Sequence, residues 1–386
     1  MTILIITNYY PPYHKGGYEV SCKDIGDYLS KQHTVYILTG NYNASPLSTL
    51  PENLQNGEVI RILYYIDYLK GGYKQKHNVE IFNHKITKEL IQRVNPDLIY
   101  LWNQQGVSMA PLFASQNSKI PLVFDFGDFW YRLYMQNALS DKIKRIIKHI
   151  LPFTVSGKPV WNNLICVSNW MAEDIRNELH PKKLSVIPRG VAVHKIGQCE
   201  KDKAKLKLMY AGRIDKKKGL HLCLEALHIL DGEDYEFNVF GSGDEEYLEF
   251  CRTLVTKYNL TEYVHFKGNS ENLYKEYASH HILLMPTMAT ETFGRVVIEA
   301  MAHEMIVIAS NKYGPAEIIN SGKDGYLITP GKSQEIAEII TMLKGNVDKM
   351  NSIAKNAKIK VIENYDLDIV NKLREKVLQE EVKNHA

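Results

Sequence analysis

The sequence predicts an α/β protein built from two doubly wound, Rossmann-like domains in tandem, and three observations carry that expectation. The chain has 386 residues, enough for two cores of ordinary size. Short runs rich in Val, Ile and Leu alternate with longer amphipathic stretches, as in βα units around a parallel sheet. The alternation pauses at a polar connector, about 191–205, and then begins again.

Thr2–Asn8 (TILIITN) has the length and β-branched content of a buried parallel strand. The loop Tyr9–Gly17 follows, with Pro11, Pro12 and the adjacent Gly16 and Gly17, and a helix over about Tyr18–Lys31 comes next. Two glycines at a helix entrance let a ligand approach the backbone, and the unpaired amides there suit a phosphate; a tight turn needs the same residues. Further strands are expected at His33–Thr39, Asp97–Trp102, Leu122–Phe126, Asn163–Val167 and Leu184–Pro188, with a helix over about Val79–Val94. The segment Pro46–Gly72 reads as irregular and holds Tyr64, Tyr65 and Tyr68, with Tyr73 just beyond. Asp141–Leu151 (DKIKRIIKHIL) sets Ile143, Ile146, Ile147 and Ile150 on one helical face among Lys142, Lys144, Arg145 and Lys148. That pattern suits an anionic membrane surface, but an ordinary surface helix packed on its own domain has it too and is the commoner case.

The second series runs strand Leu206–Tyr210, helix Gly219–Leu230, strand Glu236–Phe240, helix Asp244–Tyr258, strand Val264–Phe266 and helix Glu271–Ala278. Strand Ile282–Met285, helix Arg295–His303 and strand Ile306–Ala309 follow, and about Asp366–Val382 reads as a terminal helix. Ligands of such sheets bind at the carboxyl ends of the strands.

Composition excludes several classes. No run approaches 18 uninterrupted apolar residues and no basic leader precedes the first strand, so neither a membrane span nor a signal peptide is expected, and a cytosolic protein is. Five scattered cysteines (Cys22, Cys166, Cys199, Cys223, Cys251), none in a CxxC pair, argue against a disulfide framework and a zinc site and for small buried apolar residues. The net charge of +3 hides an asymmetry: residues 1–195 hold 22 Lys+Arg against 15 Asp+Glu, and the remainder holds 25 against 29. A basic N-terminal half favours an anionic partner or membrane surface, or is simply solvated. No dense basic stripe or nucleic-acid module is present.

Two stretches carry chemistry. In Met285–Ala302 (MPTMATETFGRVVIEAMA) a strand runs into a polar loop and a helix opens near Gly294, with Glu291 in the loop and Glu299 inside the helix. The unpaired N–H groups and positive dipole end of such a corner hold anionic or hydroxyl-rich ligands. Spacing alone decides nothing, because Glu225 and Glu233 repeat it; they, however, run off the end of an amphipathic helix. In Tyr210–Gly219 (YAGRIDKKKG) a strand ends near Gly212, Arg213 follows, and Lys218 precedes Gly219 and the next helix. Phe240-Gly-Ser-Gly243 lacks the third glycine of a dinucleotide fingerprint, Glu246 standing in its place, which makes it weak evidence for NAD.

The stretch Glu291-Thr-Phe-Gly-Arg-Val-Val-Ile-Glu299-Ala resembles the signature of the retaining nucleotide-sugar glycosyltransferases of the GT-B fold, glycosyltransferase family 4. The resemblance covers the C-terminal domain almost completely, Gly314-Pro-Ala-Glu317 and Asp324-Gly-Tyr-Leu327 included, and the N-terminal domain more loosely. It implies two Rossmann-like domains facing across a cleft that holds the site: 1–193 for the acceptor, 194–365 for the nucleotide sugar, and 366–386 crossing back onto the N-terminal domain. It implies that Glu291 binds the donor sugar and Glu299 the ribose, with the amides of Phe293, Gly294 and Arg295 helping, and that Arg213 and Lys218 stabilise the leaving diphosphate. Arg213, Lys218 and Glu291 are thus the candidate catalytic residues. Gly16, Gly17, Gly212, Gly243, Gly268 and Asn269 complete the implied donor site, and Tyr13, Asn103 and Asp128 are candidate acceptor residues.

The activity implied is transfer of a hexose-type sugar from a nucleotide diphosphate donor, a UDP-sugar before a GDP-sugar, to a hydroxyl acceptor. Neither cofactor nor metal is expected, since cationic side chains take the metal's role. Surface-polysaccharide or lipid-linked glycan synthesis is the first reading of the acceptor, with possible peripheral contact to the inner membrane face through the basic half. A small-molecule acceptor, or a catalytically weak nucleotide-binding scaffold, is the alternative. Fourteen of the 24 tyrosines precede residue 140; they suit stacking on sugars or lipid-linked acceptors, although half-buried packing is commoner. One departure stands out. Many members of the resembled family place a His-Asp pair after a strand such as Leu122–Phe126, whereas this chain has Gly127-Asp128.

Overall fold

The computed structural model describes every residue except 14–15, 43–48, 67–72, 136–158, 198, 200, 202–204, 231–233, 271 and 386. The chain forms two compact units, Met1–Ile187 with Asn371–Ala386, and Pro188–Val370.

The first unit is a parallel sheet of seven strands: β1 (Thr2–Ile6), β2 (Thr34–Gly40), β3 (Glu58–Leu63), β4 (Leu98–Leu101), β5 (Leu122–Phe126), β6 (Asn163–Cys166) and β7 (Lys183–Val186). Their order is β3-β2-β1-β4-β5-β6-β7, so the winding reverses between β1 and β4. Ile3, Leu4, Ile5 and Ile6 of β1 have no exposed surface. Side chains of both parities are therefore covered, as a strand with helices on both faces requires. The connecting helices are α1 (Gly17–Leu29), α2 (Tyr73–Val94), α3 (Ala110–Asn117), α4 (Arg132–Met135) and α5 (Asn169–Leu179).

The second unit is a parallel sheet of six strands: β8 (Leu206–Ala211), β9 (Tyr235–Phe240), β10 (Val264–Gly268), β11 (Ile282–Met285), β12 (Ile306–Ser310) and β13 (Tyr326–Ile328). The order β10-β9-β8-β11-β12-β13 reverses between β8 and β11, the topological switch point where such sheets bind ligands. Helices α6 (Leu220–Ile229), α7 (Glu245–Lys257), α8 (Leu273–Ser279), α9 (Arg295–Ala302), α10 (Tyr313–Ile318), α11 (Ser333–Lys344) and α12 (Val347–Asn364) connect or follow the strands. Leu208, Tyr210, Phe237, Val239, Ile282, Leu284, Ile306 and Ile308 form one face of the sheet and pack on α6, α7 and α11 in a single core. Each such buried side chain contributes about 1.5–3 kcal/mol.

The last helix, α13 (Leu367–His385), supplies the first unit with residues from Asn371 on. Three of its charged side chains fasten it there. Arg374 Nε lies 3.0 Å from Asp125 Oδ2, Glu375 accepts from Tyr28 (3.0 Å) and meets His33 (2.8 Å), and Glu381 binds Asn163 (2.9 Å) and Lys183 (3.0 Å).

Several elements differ from the expectation. The irregular segment contains β3, whose Glu58 and Arg61 interrupt its apolar character because it is the edge strand beside β2. Helix α2 starts at Tyr73 rather than Val79, and α3, α4, α5, α10, α11, α12 and β13 are additional. Tyr65 is buried and stacks on Tyr9 at 5.0 Å, and Tyr64 meets the Phe82 edge at 5.0 Å, so these two rings serve packing. Four of the five cysteines are buried, and Cys199 is half-buried with its thiol donating to the His303 carbonyl. The basic amphipathic stretch Asp141–Leu151 lies outside the described residues, as does Tyr68. Among the described residues no helix is long and apolar enough to cross a membrane.

Candidate functional site

The loops after β8, β9, β10 and β11 are stitched together at the carboxyl end of the second sheet. Gly212 N donates to Phe240 O (3.1 Å), Gly241 N to Gly268 O (2.8 Å) and Ile214 N to Ser242 O (3.0 Å). Gly241 has φ +132°, and a Cβ on it would lie 1.9 Å from Gly212 O, so only glycine lets these two loops touch. Gly243 pairs with Ile214, and Asp244 behind it caps α7 by accepting from Tyr247 N at 3.0 Å. The missing third glycine is thus explained: Glu245 and Glu246 occupy the first turn of a capped helix, where negative charge is favourable.

After β8, Arg213 extends outward with its side chain 77% exposed and Nη2 at 3.9 Å from Asp215. The chain then forms one 3₁₀ turn, Lys216–Lys218, which Asp215 caps by accepting from Lys218 N at 3.1 Å. This turn docks on the loop after β11. Lys217 O accepts from Met288 N (2.7 Å) and Ala289 N (3.0 Å). The docking brings Lys218 Nζ to 2.6 Å from Glu291 Oε2, each side chain about one-fifth exposed. Two residues 73 positions apart therefore form one ion pair at the switch point.

Glu291 is held at its backbone as well, its carbonyl accepting from Gly314 N at 2.9 Å. A Cβ on Gly314 would lie 2.4 Å from Phe293 Cα, so glycine is required for this close approach. Phe293 is buried with its ring 6.0 Å from Tyr365, and Gly294 leads into α9. Arg295 is the first residue of that helix, and its Nε lies 2.7 Å from Oε1 of Glu299 one turn further on, while Tyr277 OH donates to Glu299 Oε2 at 3.3 Å. Burial and the neighbouring Glu299 carboxylate push the Tyr277 phenol well above its ordinary value, so it is a fixed donor. The Arg295 side chain serves Glu299, a role not foreseen for it. Gly268 ends β10, and Asn269 beside it is exposed.

The remaining candidates belong to the first unit. Gly16 precedes α1, and its N–H donates to Glu19 Oε2 at 3.0 Å, leaving Gly17 as the first helical residue. Tyr13 stacks under the Arg61 guanidinium at 5.2 Å. Asn103, after β4, donates to Asp128 Oδ2, after β5, at 3.4 Å, and Asp128 Oδ1 accepts from Trp130 N at 3.0 Å. These two candidates are adjacent, and Asp128 ties down its own loop. Gly127 lies immediately before it.

Sequence reasoning missed Asp215 and Tyr277. Asp215 had a readable signal, an N-cap residue three positions before Lys218. Tyr277 had none, because its partner is 22 residues away on another helix.

Two histidines flank this region in neutral form. His280 is buried, gives its Nδ1 proton to Glu276 O (2.6 Å) and accepts from Asn238 Nδ2 at Nε2 (3.1 Å); His303 is buried and gives its Nδ1 proton to Glu299 O (2.7 Å). Burial lowers both below the ordinary value of about 6.5. The unfolded chain therefore binds more protons than the folded one as pH falls past about 6.5. Stability from the neutral rings is full above that value and is lost as pH falls through the folded-state values. We expect a thermal midpoint constant between about pH 8 and 7 that declines below about 6.5, and a His280→Gln/His303→Gln variant with a shallower decline. An unchanged slope in the variant would refute the assignment.

Two family models match consecutive parts of the chain, the one described as Glycosyltransferase Family 4 over residues 15–195 and the one described as Glycosyl transferases group 1 over residues 195–360. The chain belongs to glycosyltransferase family 4. Its two parallel-sheet units are those of the GT-B fold. This family 4 chain is 30% identical over 148 residues to an uncharacterized 41.2 kDa protein in the cps region of Klebsiella pneumoniae, covering 38% of this chain and 39% of that one. It is 25% identical over 185 residues to a putative colanic acid biosynthesis glycosyltransferase, WcaL, of Salmonella typhimurium, covering 45% of each. The chain thus spans less than half the length of these curated relatives. Two crystal structures share the fold over nearly the full length: a glycosyltransferase from Rickettsia africae (TM-score 0.77, 20% identity, 99% of each chain) and Anabaena HepE in complex with UDP-glucose (TM-score 0.73, 20% identity, 98% of this chain and 100% of that one).

Proposed function

We propose that the protein is a retaining glycosyltransferase that moves a hexose-type sugar from a UDP-sugar to a hydroxyl of a surface polysaccharide or lipid-linked glycan. The observation that carries the reading is the Lys218–Glu291 pair at the switch point of the second sheet. A cation fixed beside a carboxylate meets the two ends of the scissile bond: Lys218, with Arg213, offsets charge growing on the diphosphate, and Glu291 accepts hydrogen bonds from the sugar hydroxyls. The backbone from Phe293 to Arg295 supports the sugar, and Glu299 takes the ribose. Retention follows a same-face attack in which a phosphate oxygen of the leaving group accepts the acceptor's proton. The UDP preference draws on HepE, which is known in complex with UDP-glucose. The glycan acceptor draws on WcaL, named for colanic acid biosynthesis, and peripheral membrane contact through the basic N-terminal half would accompany a lipid-linked acceptor.

A second reading rests on Gly127. An imidazole at that position would hydrogen-bond the transferred sugar, whereas glycine offers only its backbone groups, so a nucleotide-binding scaffold without turnover is the alternative. One experiment separates the two. Purified protein is incubated with a panel of UDP-, GDP- and ADP-sugars, released nucleotide is followed, and the anomer of the product is read by NMR. Release from a UDP-sugar with retained configuration supports the proposal, and inversion overturns the retaining part. Calorimetric UDP binding with no release from any donor, with or without glycan and lipid-linked acceptors, favours the scaffold.

A further inference from the structure

We propose that Tyr277 is a positioning residue that sets the selectivity of this site for ribonucleotides, by fixing the carboxylate of Glu299. The inference rests on the reading of Glu299 as the ribose ligand and adds the device that orients it. Each oxygen of Glu299 already has one protein donor, Arg295 Nε on Oε1 at 2.7 Å and Tyr277 OH on Oε2 at 3.3 Å. A carboxylate offers about four acceptor positions, so one on each oxygen remains open. Two vicinal hydroxyls need that arrangement: two acceptors side by side, in a plane that cannot rotate. Arg295 alone would leave the group free to turn about its single contact, since the two residues share one helical face and long side chains.

Tyr277 is suited to prevent rotation. It is fully buried on α8, its ring lies 5.5 Å from that of His303, and His303 is itself bonded to the Glu299 carbonyl. The phenol thus comes from a second helix packed against α9, and its position does not depend on the conformation of the Glu299 side chain. A neutral hydroxyl also serves better than a second cation here, because it orients the carboxylate without drawing its charge away from the ligand.

The test compares UDP with 2′,3′-dideoxy-UDP, which lacks the diol, by calorimetry on the full chain and on Tyr277→Phe. The affinity ratio is taken within each protein, so any loss of folded fraction cancels. The wild type is expected to prefer UDP by about tenfold or more, and Tyr277→Phe to lose about five- to tenfold in UDP affinity with dideoxy-UDP affinity unchanged. A purely structural tyrosine would weaken both nucleotides equally and preserve the ratio, which would overturn the inference while leaving Glu299 as ribose ligand. A wild type without preference for UDP would overturn both. Arg295→Gln is the second variant: it removes the other fixed donor, and a ratio that falls there but stays intact in Tyr277→Phe would assign the orienting role to Arg295 alone and refute ours.

Discussion

Lys218→Met is expected to lower sugar transfer by about 10²- to 10³-fold, mostly in turnover rather than in KM, while the equivalent changes at Lys216 and Lys217 are expected to cost less than about threefold. Three neighbouring lysines share one turn, and physical restraint separates them. Lys216 and Lys217 are exposed, so their ammonium groups sample many positions in high dielectric and stabilise a developing charge weakly. Lys218 is tethered by its ion pair to Glu291 and by the Asp215 cap on its own N–H. On the proposed mechanism, a cation held in place before the reaction costs no reorganisation when the diphosphate leaves, so its removal is expected to be expensive. Glu291→Gln tests the tether from the other side: it keeps the shape, loses the charge that holds Lys218, and should lower turnover by a smaller factor than Lys218→Met. The measurement is initial-rate nucleotide release with the donor that serves best, over a range of concentrations. Turnover in Lys218→Met above one-third of wild type would sink the catalytic role.

The stretches that announced this site could be read because their chemistry is local. A backbone corner that grips a ligand needs glycine at fixed positions and charged residues within one turn, so Gly212 to Gly219 and Glu291 to Glu299 carry the pattern in consecutive residues. The parallel character of the sheets could also be anticipated, since strongly apolar runs such as Ile3–Ile6, fully buried in the fold, leave a doubly wound α/β arrangement as the natural solution. The edge strand Glu58–Leu63 escaped because exposure on one side permits Glu58 and Arg61 there, and a flanking tyrosine-rich segment disguised it as a loop. Tyr277 escaped for a different reason. Its hydrogen bond to Glu299 depends on where α8 lies against α9, and no local spacing encodes a contact between two helices. The role of Asp128 shows the same limit in reverse: a motif position that invites a ligand is occupied by the N–H of Trp130 and the amide of Asn103.

Arg374→Ala is expected to destabilise the first unit by about 3–5 kcal/mol, the largest stability effect argued here for a single substitution. Asp125 on β5 has no exposed surface, and its Oδ2 accepts from Arg374 Nε at 3.0 Å and from Tyr100 OH at 2.6 Å. The guanidinium, 3% exposed at its side chain, also donates to Ile187 O at 3.1 Å. Removing it leaves the buried carboxylate without its counter-charge, and the desolvation cost that the pair had offset then falls on the folded state. Removing both charges is a different matter. Because pairing in a buried site does little more than compensate desolvation, Asp125→Leu with Arg374→Met should recover much of the loss, so the two substitutions will be strongly non-additive. The readout must see one unit of two, since a chain with two compact units need not unfold in a single step. All four tryptophans, Trp102, Trp130, Trp161 and Trp170, lie in the first unit. Tryptophan fluorescence in a urea titration therefore isolates the relevant transition. A shift equivalent to less than about 1 kcal/mol in Arg374→Ala would mean that Asp125 finds other partners or takes up a proton, and the helix contributed by Asn371–Ala386 would then be held by Glu375, Glu381 and its apolar face instead.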